Sequence, residues 1–110
     1  MPEPIYTLKA EFFKTLGHPA RIRILELLAE GEHSVTELMP ELGLESSHLS
    51  QQLAVLRKAG MVTARKQGNN VIYSIASKDT AKLLLLARKI LTGQLTDQMV
   101  LLKDLQAGSS

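Results

Sequence analysis

Residues 34–60 read SVTELMPELGLESSHLSQQLAVLRKAG, and the fold turns on how this stretch divides. Ser34 and Glu37 stand at the spacing of a capping box, in which the hydroxyl takes a backbone N–H and the carboxylate reaches back. A short helix is expected from Val35 to Glu41, anchored by Leu38, with Pro40 shortening or distorting it. Gly43 makes the turn. A second helix is expected over residues 45–58, with Leu49, Leu53 and Leu56 inward and Gly60 as its stop. Glu45 is a poor N-cap, and nothing nearby in the sequence satisfies that helix start. Two helices joined by a tight glycine-containing turn make a helix-turn-helix element.

On the N-terminal side, Ile5, Leu8, Phe12 and Leu16 recur at helical spacing up to Gly17. Pro19 then suits the first turn of a second helix, whose stripe is Ile22, Leu25, Leu28 and Ala29 and whose stop is Gly31. On the C-terminal side, residues 61–66 and 71–75 carry β-branched residues around Gln67-Gly-Asn-Asn70. Gly and Asn tolerate positive φ, so a β-hairpin is expected. Ser77 or Asp79 caps a closing helix to at least Leu91. Gly93 is expected to bend it before Leu95, Met99 and Leu102 carry the stripe towards Gln106, with a frayed tail from Ala107. The result is a mainly α chain with a small β-hairpin, in the order helix, helix, short helix, helix, strand, strand, helix. With no linker or repeat in view, residues 1–110 are expected to form one domain.

Charge is distributed unevenly. The chain has 110 residues and a net charge of only +2. Between Ser46 and Lys78, however, stand Arg57, Lys58, Arg65, Lys66 and Lys78 with no carboxylate. Residues 1–45 hold eight glutamates against four cations. A one-signed basic stretch attracts a polyanion. At about 100° per residue, Ser47, Gln51, Ala54 and Lys58 face away from the leucines of the 45–58 helix, flanked by His48 and Ser50. Gln can contact adenine through two hydrogen bonds, Ser serves several base edges, and Ala54 leaves room for close approach. Arg65 and Lys66 lie beside the hairpin loop, placed to hold phosphate. The combination points to a double-stranded DNA operator as partner. The same cations could instead meet an acidic protein, which is the competing expectation.

Other classes find little support. Cysteine is absent, which removes disulfides and thiolate chemistry. No Ser-His-Asp constellation or phosphate-binding glycine loop can be placed, so no enzyme is expected. The longest apolar run, residues 83–87, is far short of the roughly 20 residues of a membrane span, and no secretory signal is visible. A cytoplasmic protein with no membrane partner and no cofactor is expected. Residues 83–86 are apolar right around their helix, more than one domain needs. Tyr6, Phe12, Leu84, Leu91, Leu95 and Met99 are therefore expected to bury against a second copy, making a homodimer.

Two stretches, FKTLGHPARIRILELL at residues 13–28 and LSQQLAVLRKAGMV at residues 49–62, resemble the ArsR/SmtB family of bacterial winged-helix repressors. Residues 68–73 are similar to that family's wing, and the resemblance covers roughly residues 8–76. It implies a winged helix-turn-helix homodimer, joined through its first and last helices, that represses by binding an imperfect palindrome. Carried over by position, Ser46, Ser47, His48, Ser50 and Gln51 would face the groove, and Arg65, Lys66 and Asn69 would supply wing contacts.

The departures concern metals. Soft-metal sensors of the family place cysteines near the start of the third helix, where this chain has Ser34 and Thr36, poor ligands for such ions. Zinc and nickel sensors carry an Asp-x-His pair and a later His in the closing helix; here Ala81 follows Asp79 at that spacing and no histidine follows His48. No metal site is expected, although a non-standard one around His18 or His33 would make a metal-responsive repressor. His18 is read as a helix-start residue and His33 as a solvated side chain. An unknown effector, or a second regulator competing for the operator, remains open as the signal.

Overall fold

The computed structural model describes residues 4–108. In chain order it contains α1 (Pro4–Leu16), α2 (Pro19–Glu30), β1 (His33–Ser34), α3 (Val35–Leu42), α4 (Ser46–Lys58), β2 (Val62–Gln67), β3 (Asn70–Ile75) and α5 (Lys78–Gly108). This is the winged helix-turn-helix order, with one strand more than the sequence suggests.

The core lies where α2, α3 and α4 meet. Ile24, Leu25 and Leu28 of α2 pack with Leu38 and Leu42 of α3 and with Leu49, Leu53 and Leu56 of α4. Met61 and Val62 close it from the start of the wing, and Leu16 from the end of α1. The buried hydrophobic residues include no aromatic side chain; Phe12 and Tyr73 pack only at the margin.

Local chemistry sets the helix ends. The capping box forms: Glu37 N–H donates to Ser34 Oγ at 3.2 Å, and Ser34 N–H donates to Glu37 Oε1 at 2.9 Å. α4 ends at Lys58, with Gly60 as its stop as foreseen. Gly60 N–H bonds Arg57 O at 3.0 Å and Met61 N–H bonds Leu56 O at 2.9 Å. This paired Schellman pattern requires a left-handed residue, and Gly60 supplies it with φ 76°. Met61 thereby turns straight into β2.

Four expectations need correction. α3 runs one residue past Glu41, to Leu42, with Pro40 inside it. Proline removes only the bond to the exposed Thr36, while Leu38 and Leu42 stay buried. α5 is a single helix of 31 residues through Gly93 and as far as Gly108. A helical glycine weakens a helix without ending it. Serines 109 and 110, the end of the expected frayed tail, lie outside the described residues. The hairpin is joined by β1, giving an antiparallel sheet in the order β1-β3-β2, with His33 opposite Tyr73 and Ser34 opposite Ile72. Finally, the wing turns on Gly68-Asn69, since Gln67 pairs with Asn70. Only Gly68 takes a positive φ, 62°, and Asn69 does not. Glycine at the first central position is the two-residue hairpin turn whose twist matches the strands.

The outline is long for the chain length. The radius of gyration is 18.4 Å, against about 13 Å for a globule of this size. The excess comes from α5, which at about 1.5 Å per residue runs well beyond the core. Leu83 and Leu84 pack on the core, but Leu91, Leu95, Met99 and Leu102 are all more than half exposed.

Candidate nucleic-acid interface

α4 is gripped from behind and open in front. Leu49, Leu53 and Leu56 are fully buried, while Ser46, Ser47, His48, Ser50, Gln51, Ala54 and Lys58 are exposed. The structure thus brings the six predicted DNA-binding residues Ser46, Ser47, His48, Ser50, Gln51 and Lys58, with Ala54 among them, onto the exposed side of one helix.

Its rear is fixed by groups that sequence reasoning missed. Gln52, only 8% exposed, accepts a 2.8 Å hydrogen bond from Arg21 Nε, and Arg21 Nη1 also reaches Thr15 O at 3.4 Å. One guanidinium therefore ties α1, α2 and α4 together. Arg23 does the same for the turn: Nη2 donates to Glu41 O at 2.9 Å and Nη1 to Leu42 O at 3.5 Å, holding the last carbonyls of α3. Gly43 N–H bonds Met39 O at 2.9 Å and closes that helix end. A helical wheel would have found Gln52, since it falls on the leucine side, about 60° from Leu49.

The helix starts differ in one respect. His18 Nδ1 accepts from Ala20 N–H at 3.3 Å and caps α2, which places this histidine in the helix-start role expected of it. Ser34 caps α3, and Ser77 Oγ accepts from Asp79 N–H at 3.1 Å at the start of α5. At α4, Glu45 makes no side-chain capping bond. The leading N–H groups of α4 therefore lack a side-chain cap from Glu45 beside the exposed Ser46 and Ser47, and a phosphate oxygen is the kind of group that satisfies such donors.

The wing separates two adjacent cations. Successive strand residues point to opposite sheet faces. Lys66 shares a face with Ala64 and Val62, and Arg65 lies on the other. Lys66, Asn69 and Arg57 are exposed and, among the described residues, make no ion pair. Arg65 instead makes a two-pronged contact with Glu32, which also accepts from Ser74 Oγ at 2.8 Å. These hydrogen bonds hold the Glu32 carboxyl below the ordinary carboxylate range and push the Arg65 guanidinium up.

The remaining candidates fall elsewhere. His33 is half-buried in β1, its Nδ1 3.9 Å from a Glu37 oxygen. Among the described residues, no group of three His, Asp or Glu side chains converges to hold a metal, and no helix is long and apolar enough to cross a membrane. Of the expected dimer contacts, Tyr6, Leu91, Leu95 and Met99 are exposed, whereas Phe12 and Leu84 already pack partly on their own core.

Residues 18–64, which span α2 to the start of the wing, match the family model described as "Bacterial regulatory protein, arsR family". An uncharacterised HTH-type transcriptional regulator of Mycobacterium tuberculosis, Rv0081, is 63% identical over 109 residues, 98% of this chain and 96% of that protein. The chain belongs to the ArsR family of transcriptional regulators.

Solved structures agree. The crystal structure of Rv0081 superposes with a TM-score of 0.81 at 64% identity, covering 88% of this chain and 98% of that one. The homodimeric winged helix-turn-helix domain of Mb0332 from Mycobacterium bovis gives a TM-score of 0.76 at 32% identity, covering 83% and 84%. A biofilm growth-associated repressor of Agrobacterium fabrum is 44% identical over 75 residues, 68% of this chain and 64% of that protein. Placed among these ArsR-family regulators, α3 and α4 form the helix-turn-helix and β2–β3 the wing.

Proposed function

We propose that this ArsR-family regulator is a repressor that binds an imperfect palindrome as a homodimer in the cytoplasm, with one α4 in the major groove of each half-site. The observation that carries the proposal is the outer side of α4: polar, uncharged at its uncapped start and cationic at its end. Ser46, Ser47, His48, Ser50 and Gln51 face the base edges and nearby phosphates, with Gln51 the residue best suited to adenine. Lys58 from α4 and Lys66 and Asn69 from the wing hold the backbone. Arg65 is engaged by Glu32, so a phosphate would compete with that carboxylate for it.

A second copy, docked on Tyr6, Phe12, Leu84, Leu91, Leu95 and Met99, holds two such surfaces at a fixed separation. Half-sites then lie about one helical turn apart or a multiple of it. No step requires a metal or cofactor, and the signal that releases the operator is an effector or a competing regulator.

Sequencing the genomic fragments retained by the purified protein tests this directly, and recovery of a shared palindrome is the expected result. Gln51→Ala should then lose about 1–3 kcal/mol of discrimination at one base pair. An unselective mixture of fragments would remove the reading, and unchanged discrimination in Gln51→Ala would remove the assignment of Gln51.

A further inference from the structure

Arg65 belongs to the acid-free stretch by sequence, yet the fold carries an acid to it from 33 residues away. The sheet explains how. β1 and β2 flank β3, and the pairing of Ser34 with Ile72 and His33 with Tyr73 brings Glu32 alongside Ser74. Arg65 lies across β3, opposite Ile72. Glu32 and Arg65 therefore meet over one face of the sheet.

The contact has the form of phosphate recognition. Arg65 Nη2 donates to Glu32 Oε1 at 3.1 Å, Nη1 donates to Oε2, and Nη2 also reaches Gln67 Oε1 at 3.4 Å. Two parallel N–H donors on two oxygens are how a guanidinium holds either a carboxylate or a phosphate. Both partners are about half exposed, at 52% and 51%. Water and a passing polyanion can reach them, so the pair is open to exchange. Lys66, next in the strand, has no such partner among the described residues.

We infer that Glu32 is a positioning residue that competes with DNA phosphate for Arg65, and so holds down the wing's sequence-independent affinity. The inference rests on the reading of the protein as a DNA binder. It assigns a function to an acid that lies outside both the helix-turn-helix and the hairpin. Glu32 leaves the base-facing side chains of α4 alone, so it lowers operator and random-sequence affinity by the same factor.

Salt titration of binding, for an operator and a duplex of random sequence, measures this. Glu32→Gln keeps the side-chain volume and removes the charge. It should steepen the slope of log affinity against log salt by about 0.9, the value of one added phosphate contact. Low-salt affinity should rise severalfold for both duplexes with their ratio unchanged. Glu30→Gln removes an equal charge two residues away and should leave the slope as it is. Adding Arg65→Ala to Glu32→Gln should cancel the gain. Glu32→Ala, checked for folding by thermal melting, should behave like Glu32→Gln.

Weaker binding at an unchanged slope in both Glu32 variants would overturn the inference and make Glu32 a brace of the sheet. So would an equal gain in Glu30→Gln. A wild-type chain that shifts no duplex at low salt would instead overturn the DNA-binding reading on which the inference stands.

Discussion

The helix-turn-helix core and the long closing helix draw on the same aliphatic residues and leave them in opposite states. In α4, Leu49, Leu53 and Leu56 are fully buried by α2, α3 and the wing. In α5, Leu95 and Met99 repeat at helical spacing and remain 62% and 61% exposed. A periodic apolar stripe states that burial is required, but it does not state which chain provides the cover. In the core, the neighbours along the sequence supply it. In the two arms, meaning the exposed faces of α1 and of α5 beyond Leu84, no neighbour within the described chain does, and these faces together ask for a second copy.

This contrast can be broken at several points. The largest effect is expected from Leu53→Ala, which opens a cavity at the centre of the core and should cost about 2–5 kcal/mol of stability at every protein concentration, measured by denaturant unfolding. Arg21→Ala should follow. It leaves the buried Gln52 without its donor and should cost about 1–3 kcal/mol, again independent of concentration.

The arms should respond differently. Leu95→Glu combined with Met99→Glu should weaken self-association at least tenfold, about 1.4 kcal/mol, measured by sedimentation over a concentration series. The unfolding of the single chain should hardly change. If that double variant instead loses stability as Leu53→Ala does, the arms are part of the core and the contrast fails.

The smallest effect belongs to the α3 cap, where Ser34→Ala should cost about 1 kcal/mol. Its acid partner sets a pH dependence. The backbone N–H and hydroxyl of Ser34 hold the Glu37 carboxyl below the ordinary carboxylate range. A carboxyl lowered on folding contributes stability above its unfolded pKa and loses it as pH falls through the lower, folded value. The melting-temperature advantage of wild type over Glu37→Gln should therefore shrink through that acid range, and a constant gap would deny the capping box its charge.

The same contrast explains what the sequence revealed. α2 and α4 were legible because their leucines and isoleucines are satisfied locally, and Gly60 stops α4 for a reason visible in its missing Cβ. The capping box was legible because its partners stand three residues apart. β1 was not. It is two residues long, and its pairing with β3 is a backbone event that no side-chain pattern announces. Gly93 misled because a helix tolerates one glycine when both flanks favour helix. Arg65 misled because charge was counted along the chain, whereas Glu32 reaches it across the sheet. Gln52 stood in plain view, masked by its polarity among exposed glutamine and serine neighbours.

The two-residue wing turn has a consequence for how such regulators can diverge. Strand side chains alternate with a period of two, so inserting a single residue at Gly68-Asn69 slips the register and turns each following side chain over. Ser74 would leave the side of the sheet where Glu32 waits, and Tyr73 would rotate out of the margin it seals. Lineages that edit this tip must therefore keep its length, change it by pairs, or absorb the odd residue in a bulge. Variation in what the wing touches should accordingly appear as replaced letters far more often than as gaps.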